Sequence, residues 1–131
     1  KNPLVSHVTG RLRNDVQGAM LVVEDRDIWE DGALVLKTRN SRLVSFLKVD
    51  ETLVRRTSML DGTVVEERVL MRGLTSWWWR CPVPGTVDLR FAYLINAGSE
   101  SAAARQAGYA GGRRTEQLRF AIRGWGAEAG W

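Results

Sequence analysis

The alternation of apolar and polar positions is sharpest over residues 87–95, where Val87, Leu89, Phe91, Tyr93 and Ile95 share one parity and Asp88, Arg90 and Ala92 the other. Side chains of an extended chain point alternately to opposite faces, so this pattern predicts a half-buried strand. Residues 118–123 repeat the motif, with Leu118, Phe120 and Ile122 inward and Arg119 and Arg123 outward, although a helix with one apolar stripe also fits them. Upstream, residues 52–60 and 63–71 flank Asp61-Gly62, a dipeptide suited to the positive φ angles of a tight primed turn, and predict a long hairpin. A two-residue loop would set Leu60 opposite Thr63 and Arg56 opposite Glu67, a pair of opposite charges. Neither face of this hairpin alternates cleanly, which predicts that its middle projects beyond the main sheet or is covered on both sides. Further strands are expected over 6–13, 19–24, 33–38 and 43–49, punctuated by Asn14-Asp15, Asp31-Gly32 and Asn40-Ser41.

Seven or eight short strands separated by turn signals predict a mainly β fold, an antiparallel β-sandwich or barrel. No strand-helix rhythm runs through the chain, which disfavours a doubly wound α/β fold. Residues 96–117, rich in Gly, Ala and Ser, break the strand pattern and predict a short helix or a long loop near residues 99–112. The expected organisation is a single β-rich domain over residues 1–124, followed by a flexible Gly/Trp tail over 125–131.

A chain of 131 residues with 44% hydrophobic content can bury a core without disulfides or a structural metal. It lacks the roughly 18–20 uninterrupted apolar residues of a membrane-spanning helix, and its first residues lack the apolar run of a signal peptide. Because it begins at Lys1 rather than Met, a processed product or an excised fragment is expected. The compartment is therefore not assigned, though a single cysteine is compatible with a reducing one.

Cysteine and histidine narrow the chemistry. With only Cys81 and His7, the chain has no disulfide framework and no Cys/His cluster of zinc-binding spacing, so no metal and no cofactor are expected. A nucleophile-histidine pair would have to recruit His7, which reads as an ordinary residue of the strand over 6–13, and Cys81 beside Pro82 reads as a small hydrophobe. Gly111-Gly112-Arg113-Arg114 lacks the spacing of a P-loop or a dinucleotide-binding turn. No catalytic residues are assigned, and the chain is expected not to be an enzyme.

Charge is distributed unevenly. Residues 1–67 carry ten Lys/Arg against eleven Asp/Glu, whereas residues 68–131 carry nine Arg against four acids. The excess is purely arginine, whose guanidinium suits bidentate contact with phosphate or carboxylate and stacking on rings; high-GC coding would produce the same bias. Arg80, Arg105, Arg113, Arg114, Arg119 and Arg123 are the candidate residues for nucleic-acid or anion binding. Opposed to them is the acidic run 24–31, with five carboxylates in eight residues but not the residue order of a calcium loop. Its Asp25, Asp27, Trp29, Glu30 and Asp31, together with Trp131 in the tail, are the candidates for self-association, because an acidic patch and a basic half on one domain complement each other head to tail.

Trp77, Trp78 and Trp79 stand in sequence just before Arg80 and the turn-forming run 81–85. In an extended chain Trp77 and Trp79 face one way and Trp78 the other, and a small domain rarely conceals indoles on both faces of one strand. All three are candidate aromatic contacts, with Trp78 expected to be the exposed one. The reading favoured by these features is a non-enzymatic assembly module, of the kind found in viral coat or matrix proteins. It would form homo-oligomers and contact nucleic acid or an anionic membrane surface, and other proteins as well. The alternatives are a β-barrel single-stranded nucleic-acid-binding domain using Trp stacking and Arg-phosphate contacts, and a β-sandwich binding carbohydrate or a small ligand.

Overall fold

The structure, a computed structural model, describes residues 3–95 and 112–126. A helix, α1 (Pro3–Gly18), precedes eight strands: β1 (Ala19–Val22), β2 (Leu34–Thr38), β3 (Arg42–Val49), β4 (Thr52–Met59), β5 (Val64–Arg72), β6 (Leu74–Arg80), β7 (Thr86–Leu94) and β8 (Arg113–Ala121). They form two antiparallel sheets in which neighbours in sequence are neighbours in space: β1-β2-β3-β4-β5 and β6-β7-β8. The fold is mainly β and sandwich-like, one hydrophobic core joining the inner faces of both sheets to the helix. The expected helix or loop near residues 99–112 lies outside the described residues, apart from Gly112.

The strand expected over 6–13 is instead part of α1. Val5, Val8, Leu12 and Val16 recur at intervals of three and four, the period of one helical face, and all four are buried. β-branched residues lower helix propensity only slightly, and burying this stripe against β2, β5 and β8 outweighs that preference. His7 lies on the exposed side of the helix. On the inner side Asp15 accepts two bonds from Arg55 of β4, from Nε at 2.7 Å and Nη2 at 3.2 Å, which ties the helix to the five-stranded sheet.

The β4–β5 hairpin forms around Asp61-Gly62, but its loop has three residues rather than two. Met59 donates its N–H to Thr63 O at 2.8 Å, and Gly62 takes the positive φ of 94° that closes such a loop. A register shift between Thr57 and Ser58 then absorbs one residue, so Arg56 still faces Glu67 and bonds it at 2.6 Å. β4 is buried on both faces at Leu53 and Val54, while β5 runs along the sheet edge with most of its side chains exposed.

A single residue, Gly73, separates β5 from β6, so the chain turns from one sheet into the other at that point, held by Leu94 N–H donating to Gly73 O at 2.9 Å. In the second sheet the register runs Trp77↔Phe91↔Glu116, Trp78↔Arg90↔Gln117, Trp79↔Leu89↔Leu118 and Arg80↔Asp88↔Arg119. Trp77, Trp79, Leu89, Phe91 and Phe120 are buried in the core, and Trp78, Arg90, Gln117 and Arg119 are exposed on the other side. β8 is a strand, and it starts five residues earlier than the apolar alternation suggests.

Candidate functional site

The outer face of the three-stranded sheet is built from β6 outward. Because Trp77 and Trp79 point inward, both indole N–H groups reach one acceptor, donating to the carbonyl oxygen of Gly32 at 3.1 Å each. The segment 23–33 is thereby held along the edge of β6. Glu30 and Trp79 exchange backbone hydrogen bonds at 2.8 and 2.9 Å, and Cys81 N–H donates to Arg26 O at 2.6 Å. Trp29, next to the bridged Glu30, is carried onto the outer face. There the guanidinium of Arg80 lies 4.4 Å from its ring centroid and that of Arg90 lies 5.0 Å away, both within cation-π range.

Two cross-strand rows complete the face. In the first, Trp78, 37% exposed, sits beside Arg90, which donates to Gln117 Oε1 at 3.3 Å. In the second, Asp88 is 3% exposed between two arginines: Arg119 donates from Nε to Oδ1 at 2.6 Å and from Nη2 to Oδ2 at 3.0 Å, and Arg80 donates from Nε to Oδ2 at 3.0 Å. These bonds, Arg119's foremost, hold the Asp88 carboxyl below its ordinary value against the opposing effect of burial, and the same contact raises Arg119. Two guanidiniums therefore share one carboxylate while that of Arg90 bonds a neutral amide, and the face keeps a positive surplus alongside two indoles.

Of the residues singled out from sequence, Arg80, Arg119, Trp78 and Trp29 come together here. Trp29 thus lies against the basic face, under the guanidiniums of Arg80 and Arg90. Trp77 and Trp79 support the face from beneath. Arg113 and Arg114 are exposed at the start of β8, opposite Leu94 and Tyr93, and Arg113 is six residues from Arg119, roughly 20 Å along the strand. Arg123 follows β8 and fastens it to the end of α1, its N–H and Nη2 donating to the O and Oε1 of Gln17, each at 3.0 Å. Arg105 and Trp131 lie outside the described residues. Glu30 is paired with Arg26 at 3.4 Å, and Asp31 is exposed. Asp25 and Asp27 line a shallow groove of about 440 Å³ with Ile28, Cys81 and Val83.

Arg90, Asp88 and Gln117 belong to the site and were not among the sequence candidates. Parity was the available signal for the first two, since Arg90 and Asp88 share the outward positions of the best strand. At the groove, burial first and then the Asp25 carboxylate push the Cys81 thiol up to about 11, which keeps it protonated and weakly nucleophilic at neutral pH. Among the described residues no group of three or more His, Cys, Asp or Glu side chains is placed to hold a metal ion, and no helix is long and apolar enough to cross a membrane. No protein-family model matches the chain, and no curated protein is significantly similar to it.

Proposed function

We propose that this domain is a non-enzymatic binding and assembly module that takes single-stranded nucleic acid on the outer face of its three-stranded sheet. The observation that carries this reading is the joint display of Trp78 and Trp29 with Arg80, Arg90 and Arg119 on one face. Exposed bases stack on indole rings, guanidiniums contact phosphates, and both act on any sequence. An anionic membrane surface would answer to the same charge, but these two rings lie within a sheet face beside arginines and not on a projecting apolar tip. A sugar ring would also pack on an indole, yet it gives three guanidiniums nothing to neutralise. Asp88 does not oppose the reading: it fixes Arg80 and Arg119 in place, and a phosphate competes only for their outward N–H groups.

The test is a titration of the chain with a single-stranded oligothymidine, followed by tryptophan emission and repeated at increasing salt. Quenching is expected, with affinity falling as salt rises by a log-log slope of about −0.7 per phosphate contact. Trp78→Ala should weaken binding by about 5- to 150-fold, the equivalent of about 1–3 kcal/mol of stacking. Arg90→Ala should weaken it and make the salt slope shallower by about 0.7. Absence of quenching at low salt overturns the reading. Salt-sensitive binding to phosphatidylserine vesicles without oligonucleotide binding replaces it with a membrane partner, and salt-insensitive binding to oligosaccharide replaces it with a carbohydrate.

A further inference from the structure

β5 lies at the end of its sheet, and among the described residues no strand pairs with its outer side. Such an edge leaves a row of N–H and C=O groups without protein partners and is a template for another strand. Three of its valines are exposed there, Val64 at 51%, Val65 at 55% and Val69 at 50%. The other edges differ. That of β6 is occupied by the segment 23–33, β1 has only four residues, and no large hydrophobic side chain of β8 is exposed.

We propose that two copies of the chain pair their β5 strands antiparallel about a two-fold axis at Glu67, joining two five-stranded sheets into one of ten. The register follows from symmetry. Hydrogen-bonded and non-hydrogen-bonded pairs alternate along an antiparallel ladder, so a two-fold axis must place one residue opposite its own copy. Centring on Arg68 opposes two guanidiniums and sets Glu67 against Val69. Centring on Glu66 opposes two carboxylates and sets Val65 against Glu67. Centring on Glu67 instead sets Glu66 against Arg68 twice, two side chains that already pair within one chain at 3.2 Å, and brings the bulged Val65 towards Val69 twice at the ends of the contact. The one like-charge pair in that register is Glu67 with its copy, and each of these carboxylates is already neutralised within its own chain by Arg56 at 2.6 Å.

The same strand limits how far pairing extends. Register shifts against β4 fall between Thr57 and Ser58 and between Leu53 and Val54, and they bound an unbroken run from Glu66 to Val69. Bulges twist an edge away from a flat ladder. The contact is therefore short, and because it is isologous it uses the β5 edge of both copies and closes at two. This interface lies on the other sheet from the proposed nucleic-acid face and goes beyond that reading, so either can fail alone.

Cross-linking tests the register. Directly opposite residues have Cα atoms about 4.5–5.5 Å apart, within disulfide reach. Under mild oxidation Glu67→Cys should give a disulfide-linked dimer. Val65→Cys alone should not, because its copy is four residues away along the strand, and Val65→Cys combined with Val69→Cys should. In sedimentation at about 100 µM the unmodified chain should show a concentration-dependent dimer. Arg68→Glu should weaken that dimer about tenfold or more, and Glu66→Arg combined with Arg68→Glu should restore it, with far-ultraviolet circular dichroism confirming that each variant folds. A strictly monomeric chain, a dimer indifferent to Arg68→Glu, or cross-linking by Val65→Cys alone overturns the proposal.

Discussion

Replacing Asp15 should destabilise the fold more than neutralising Arg55, although the two share one ion pair. The asymmetry comes from what each substitution leaves behind. The Arg55 side chain is 9% exposed and that of Asp15 16%, with the closest N···O distance 2.7 Å. In Asp15→Ala the Arg55 guanidinium stays buried, and its other hydrogen-bond partner among the described residues is Thr57 Oγ1 at 3.4 Å. In Arg55→Met the aliphatic stem is kept, and Asp15 retains Arg11 at 3.5 Å, whose side chain is 45% exposed. Stranding a buried charge costs about 3–5 kcal/mol, so Asp15→Ala should cost about 3–4 kcal/mol and Arg55→Met about 1–2 kcal/mol. The double substitution Asp15→Leu with Arg55→Met should lie within about 1 kcal/mol of the parent, because burying two apolar side chains replaces a pair that had to be desolvated. Urea unfolding followed by circular dichroism measures all three, with unchanged m values required for the comparison. Equal costs for the two single substitutions, or a double substitution as costly as their sum, would refute the reasoning.

Three further outcomes follow from the site and its surroundings. The Asp88 carboxyl is held below its ordinary 3.8, so its pairing stabilises the fold above that value and is lost as pH falls through the lower folded value; Asp88→Asn should flatten this acid-side loss in unfolding measured between about pH 2 and 6. A shift of the Cys81 thiol from 9.0 to about 11 should make its alkylation near pH 8 about 100-fold slower than that of an unhindered thiol, and rates near the free-thiol value would contradict the burial described. Gly85 has φ +80°, and a Cβ there would overlap the Trp125 ring; Gly85→Ala should cost about 1–3 kcal/mol in urea unfolding, with Trp125→Ala relieving the clash but not the backbone strain.

Inside and outside were legible in the sequence wherever a strand had one dry and one wet face. Parity over residues 87–95 placed Phe91 within and Arg90 without, and parity over the triplet singled out Trp78 as the exposed indole. β8 was legible only from Leu118 because Arg113 to Gln117 carry no apolar alternation; these residues are a strand through their ladder with β7. α1 was hidden by its valines and threonine, which resemble strand residues until the spacing from Val5 to Val16 is weighed against their type. The hairpin loop differs by one residue because a tight turn and a bulge compensate each other, leaving Arg56 opposite Glu67 in either case. Trp29 could not be assigned to its face from the sequence, since its place depends on the carbonyl of Gly32 and on indoles 45 and 47 residues further along the chain.

The Gly32 carbonyl bears on folding fidelity. Three identical side chains in a row are ambiguous to a forming ladder: a slip by two residues puts one indole where another belonged, with little change in buried area. Burial alone then discriminates poorly between the correct alignment and its neighbour. A single oxygen with two lone pairs takes both indole N–H groups only when Trp77 and Trp79 flank it together, and the same alignment exchanges both backbone bonds between Glu30 and Trp79. Any slipped alignment strands a buried indole donor, at about 1–3 kcal/mol each. The loop over residues 23–33 therefore acts as a proofreader for β6, supplying the selectivity that three repeated letters cannot.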